Sequence, residues 1–210
     1  MRLPVAAVAL LAAGVLLTGC DGVAPSFACK VDATTPDLVQ DREAAGIADC
    51  DPASWSAGDG AAARLPDLEL DCLGGEAGAA LSRVHGPAVL NFWSSNCGPC
   101  RKEMPALQEF YEEYGDRITV LGVNWLDTYP GAAIDLARLS GVTYPSLADG
   151  CGDLQETDAP LGAGLPFFLF VAEDGTVSKP HTGGVTSSDE VVAMVEETLG
   201  IDLAAAKATP

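Results

Sequence analysis

The chain has 210 residues, nearly half of them apolar, which allows one domain of ordinary size with a real core plus extra segments. Its 30 acidic residues against 11 basic ones leave a formal charge of −19. Such a surface repels nucleic acid and anionic lipid headgroups, so neither is expected as a partner through charge.

The first residues read as a targeting segment, set apart before any fold reasoning. Arg2 supplies a positive start, and Leu3 to Leu17 is an apolar run of signal length, short for a spanning helix. It ends in Leu17-Thr18-Gly19-Cys20, which resembles the bacterial lipobox, in which the cysteine becomes the lipidated first residue. The plainer reading is secretory cleavage nearby, with Cys20 incidental. Under either reading the domain is exported, where disulfides persist. Residues 1–20 are therefore expected as a signal peptide, 21–63 as a linker or N-terminal extension without clear periodicity, 64–201 as the domain, and 202–210 as a tail. The small, polar run from Asp51 to Ala63 reads as linker.

From Leu65 the pattern is that of a folded domain. Leu65 to Leu73 alternates like an edge strand. Ala88 to Trp93 is a buried strand, and Met104, Leu107, Phe110 and Tyr111 give Arg101 to Tyr114 helical spacing, stopped at Gly115. Ile118 to Val123 is a second buried strand, Gly131 to Leu139 a helix, and Phe167 to Ala172 a third strand. Glu173-Asp-Gly175 turns into Thr176–Ser178. Ser187 caps a last helix with Glu190 at the capping-box position, and Gly200 ends it. A βαβ half followed by a ββα half is the thioredoxin arrangement, an α/β fold with a central mixed sheet covered by helices on both faces.

Seven cysteines are present: Cys20, Cys29, Cys50, Cys72, Cys97, Cys100 and Cys151. Cys97-Gly-Pro-Cys100 follows a buried strand and opens an amphipathic helix. Two intervening residues at a helix start bring the sulfurs within bonding range. The first sulfur then lies beyond the helix N-terminus, where free N–H groups and the dipole favour a thiolate. Cys97 is thus the candidate nucleophile and Cys100 the resolving thiol. Zinc also uses CxxC, but needs two further ligands; there is no second CxxC, and His85 and His181 fall in no such pattern. No metal or other cofactor is expected. With Cys20 lipidated and Cys97–Cys100 a redox-active disulfide, four cysteines remain, with three connectivities. Cys29–Cys50 with Cys72–Cys151 is the favoured one, pairing within the extension and within the domain.

The run from Val89 to Pro105, with Ile118 to Asn124, Tyr144 to Leu147 and Gly164 to Gly175, resembles the TlpA/ResA type of membrane-anchored thioredoxin-like protein. The resemblance spans about Leu65 to Ile201. It implies an extracytoplasmic thiol–disulfide oxidoreductase, held at the membrane through Cys20, and the CGPC dipeptide of reducing thioredoxins favours a reductase of exported protein disulfides. It marks Pro166 as a cis-proline facing the dithiol, against a plain trans-proline at a strand start, and Leu165 as the residue whose backbone meets an extended substrate. Glu103 stands where ResA-like proteins carry a glutamate implicated in thiol and proton chemistry; otherwise it is a surface charge near a helix start. Asn91 stands where cytoplasmic thioredoxins carry a buried aspartate. Trp93 is a candidate substrate contact, or ordinary packing. Asn96, and Phe167 and Phe168, depart from the family's Trp before the first cysteine and Thr after the cis-proline, so partner identity does not carry over. Expected partners are exported thiol or disulfide proteins, cytochrome c haem-binding cysteines among them, with a membrane electron donor of CcdA/DsbD type. Open alternatives are a disulfide-donating oxidase, a haem- or copper-binding lipoprotein, and a peroxidase, although peroxidatic sites lack this cysteine pair.

Overall fold

The computed structural model describes residues 29–55 and 60–206. The signal segment, Cys20 and the end of the tail lie outside the described residues. Among the described residues no helix is long and apolar enough to cross a membrane.

Among the described residues seven strands form one mixed sheet: β1 (Glu69–Cys72), β2 (Ala79–Ala80), β3 (Ala88–Trp93), β4 (Thr119–Trp125), β5 (Ser146–Asp149), β6 (Phe167–Val171) and β7 (His181–Thr182). Their order across the sheet is β2-β1-β5-β4-β3-β6-β7. β3, β4 and β5 run parallel, while β6 is antiparallel to β3. β3, β4 and β6 are buried at every position, which explains their unbroken apolar runs. Residues on β3 alternate between two cores. Val89 and Trp93 face the side of α2 (Gly98–Tyr114), and Ala88, Leu90 and Phe92 the opposite one. α4 (Ser188–Leu199) packs with α2, its Ser187 accepting from the Glu190 N–H and its end set by Gly200 at φ 67°.

The structure departs from the expected elements in four places. β1 is not the edge of the sheet, because the two-residue β2 pairs outside it. β5 occupies only four residues, too short for its alternation to register in the sequence. After the turn at Glu173–Gly175 the chain returns through a single bridge, Val171 to Val177, and the strand beside β6 is β7 further on. In the extension, α1 (Pro36–Ala45) docks on α3 (Pro130–Leu139), and Trp55, within the stretch expected as linker, is buried at 1% exposure.

The disulfides correct the expected pairing. Cys29 joins Cys151 and Cys50 joins Cys72, in place of Cys29–Cys50 and Cys72–Cys151. The extension lies along the β1–β5 side of the sheet: the Ala48 N–H donates to Thr143 O and Cys50 Sγ sits 3.2 Å from Ser146 O. Cys50 thereby meets Cys72 on β1, and Cys29 reaches the loop after β5. Asp49, Cys50 and Cys72 bring their donor atoms within 4.8 Å of one another, but both sulfurs are committed to the bridge.

Candidate active site

β3 ends at Trp93 and the chain turns through Ser94, Ser95 and Asn96 into α2, whose N-cap is Cys97. Cys97 Sγ accepts from the Cys100 N–H at 3.1 Å, so the sulfur itself occupies the place of a capping oxygen at the positive end of the helix dipole. Cys97 and Cys100 form the third disulfide. Cys97 is partly exposed and Cys100 fully buried, so only the first sulfur is open to attack from solvent.

Behind the pair lies Glu103, one turn further along α2 and fully buried. The Asn91 side-chain amide donates to its Oε1 at 2.8 Å. Its Oε2 makes no hydrogen bond of good geometry. Burial raises the Glu103 pKa from an ordinary 4.5 to about 8, opposed by the Asn91 amide and the Val185 backbone N–H. A Cβ added at Gly184 would lie 3.3 Å from Glu103 Oε2, 3.7 Å from Pro166 Cγ and 3.9 Å from Pro99 O. Glu103 therefore sits where the cis-proline loop meets the start of α2, and the surface-charge reading of this residue does not hold. The buried hydroxyl of Tyr144 has no hydrogen-bond partner; burial, and then the Glu103 charge, push its pKa upward.

The Leu165–Pro166 peptide is cis, as is Gly86–Pro87, which the sequence did not signal. Leu165 and Cys97 line the same groove, together with Pro99, Trp125, Leu126 and Gln155. Trp93 does not: it is fully buried on the α2 side, and a Cβ at Gly122 would fall 2.8 Å from its Nε1. The strand alternation that turns Asn91 towards Glu103 also turns Trp93 inward, so its expected substrate contact is corrected to packing under the site. Trp125, at the end of β4, takes the groove position instead. His85 and His181 are engaged elsewhere, near Gly60 O and Thr198 respectively.

Sequence reasoning missed the β4–α3 turn. Asp127, 2% exposed, accepts from the Ser95 N–H at 2.6 Å, the Asn124 side-chain amide at 3.0 Å and the Tyr129 N–H at 3.1 Å. It ties this turn to the residues just before Cys97. An aspartate at the C-terminal end of a parallel strand was the available signal. Next to it Leu126 has φ 54°, alone among the described non-glycine residues in having a positive φ, a conformation that costs a bulky residue about 1–2 kcal/mol.

The family model described as AhpC/TSA family matches residues 61–179. The chain is 28% identical to thioredoxin-like protein YneN of Bacillus subtilis over 66% of this chain and 78% of that protein. It is 33% identical to thiol-disulfide oxidoreductase ResA of Halalkalibacterium halodurans over 63% of this chain and 69% of that one. Among solved structures, a secreted thiol-disulfide isomerase from Corynebacterium glutamicum matches with TM-score 0.53 and 26% identity, over 62% of this chain and 82% of the other. The fold is thioredoxin-like, the enzyme class is thiol–disulfide oxidoreductase, and the chain belongs to the AhpC/TSA family, on its ResA-like thioredoxin branch.

Proposed function

We propose that the protein is an exported reductase of protein disulfides, working through Cys97 and Cys100 and tethered to the membrane by lipid on Cys20. The observation that carries this reading is the graded pair: a half-open sulfur at the helix N-terminus, a sealed sulfur behind it, and a buried carboxyl of raised pKa one turn away.

The Cys97 thiolate attacks one sulfur of a substrate disulfide, and the expelled thiolate takes up a proton. The Cys100 thiolate then attacks Cys97 Sγ, closing the Cys97–Cys100 disulfide and releasing the second substrate thiol. Two electrons and two protons pass to the substrate. Cys100 has no access to solvent, so its proton needs an internal acceptor; ionised Glu103, with its pKa raised to about 8, fits that role. The Leu165 backbone beside Pro166 offers an edge for an extended substrate. Cysteines of exported proteins, including those that bind haem in cytochrome c, are the proposed substrates. A membrane dithiol carrier of CcdA/DsbD type would return the electrons.

The reduction potential of Cys97/Cys100 in defined thiol buffers tests the direction. A value at or below about −250 mV, the thioredoxin range, supports the reductase, and one above about −180 mV makes the protein an oxidant. Mass analysis of the membrane-bound protein tests the anchor: a diacylated Cys20 at the N-terminus is expected, and an unmodified N-terminus overturns the tether.

A further inference from the structure

We infer that Leu126 is a specificity-determining residue that selects substrate segments carrying an aliphatic side chain beside the cysteine; this rests on the dithiol reading above. Three independent features converge on it. Leu126 is left 47% exposed, with Tyr129 and Leu139 one of three exposed large apolar residues among the described ones. It lines the groove that holds Cys97, which Leu165 also lines. Its backbone is held in the left-handed region, where leucine is disfavoured and glycine or asparagine would be at ease.

That conformation is fixed from both sides. The Leu126 N–H donates to Asp149 O at 2.9 Å, and the next residue, Asp127, is tied to Ser95 at the active-site turn. Below, Leu126 rests against Gly152, where any Cβ would collide with its Cδ2. A strained residue fully supported by its surroundings, beside the nucleophile and open to solvent, is the pattern of a recognition element and not of a core filler.

The occupant follows from charge. In a chain of net −19, no charged side chain among the described residues lines this groove. An uncharged groove in which Trp125, Leu126 and Leu165 stand beside the neutral polar Ser94, Asn96 and Gln155, inside an acidic surface, accepts a neutral aliphatic segment of an unfolded or extended exported polypeptide. It disfavours a cysteine flanked by carboxylates.

The test uses the reduced protein, hydroxyethyl disulfide as a substrate with no flanking side chain, and short peptides whose cysteine is capped by 2-mercaptoethanol and flanked by Leu, Gly or Asp. Wild type should prefer the Leu peptide over the Gly peptide by about tenfold or more in kcat/KM, the size of one apolar side-chain contact. Leu126→Gly, and Leu126→Asn as a second variant that also suits the left-handed region, should reduce that preference to within about twofold. Both should lose rate on the Leu peptide relative to hydroxyethyl disulfide measured with the same variant, and melt no lower than wild type. Variants that keep the Leu preference overturn the inference. So do variants that both melt lower and slow equally on every substrate, because Leu126 would then be structural. Wild-type protein unable to reduce hydroxyethyl disulfide breaks the dithiol reading itself, a distinct failure.

Discussion

Cys97 stands half-open at the start of α2, its sulfur accepting from the Cys100 N–H, while Cys50 and Cys72 lie at 3% and 0% exposure between the extension and β1. The Cys97–Cys100 pair is separated by 3 positions and set by one helix turn; the Cys50–Cys72 pair is separated by 22 and set by how the extension docks. The same covalent bond thus has two uses. Where the sulfur meets solvent and a helix dipole it is built to exchange, and where it is sealed it holds the extension on the domain. The remaining bridge, Cys29–Cys151, lies between these cases, with Cys29 exposed and Cys151 half-buried.

The contrast breaks most readily at Cys97. Cys97→Ser should lower disulfide reduction roughly 10³-fold or more, measured on a peptide disulfide, because the nucleophile is gone. Cys100→Ser should instead accumulate a mixed disulfide on Cys97. On the other side, replacing Cys50 and Cys72 together by Ala should cost about 3 kcal/mol in denaturant unfolding while leaving exchange near the wild-type rate. A matching loss of exchange in the folded variant would mean the two regions are not separate.

Glu103 sharpens the comparison through pH. Between an unfolded pKa near 4.5 and a folded value of about 8, the folded protein holds a proton that the unfolded chain has released. Its contribution to stability is full below about pH 4.5, declines as pH rises and is gone above about pH 8, by at most about 1.4 kcal/mol per unit. Glu103→Gln should flatten that slope. It should also remove the inflection near pH 8 from the rate of Cys100 attack, slowing it roughly a hundredfold at alkaline pH. The smallest effect is expected remote from both regions: Ser187→Ala should cost about 1 kcal/mol by uncapping α4, with exchange unchanged.

What the sequence revealed follows the same division between local and long-range causes. β3, α2 and the capped α4 were legible because an apolar run, an amphipathic stripe and a Ser–Gly frame are each written within a few residues. α1 has no such stripe, and its stability comes from docking on α3. Pro36 at its first turn and Gly46 in the left-handed cap were nonetheless readable signals. The pairing of Cys29, Cys50, Cys72 and Cys151 was not legible, because it depends on the extension crossing beside β5, a strand only four residues long. At the site, Cys97, Cys100 and the cis-proline came from motif and resemblance. The burial of Glu103 and the inward turn of Trp93 required the register of β3 against α2.

The most direct test of the central claim is a redox titration of the folded protein in which each cysteine pair is followed separately by alkylation and mass analysis. The account predicts that Cys97–Cys100 is reduced alone in the thioredoxin range near about −250 mV, while Cys50–Cys72 stays oxidised to below about −300 mV or until the protein unfolds. Reduction of Cys50–Cys72 together with, or ahead of, Cys97–Cys100 would contradict the division between an exchanging bridge and a sealed one.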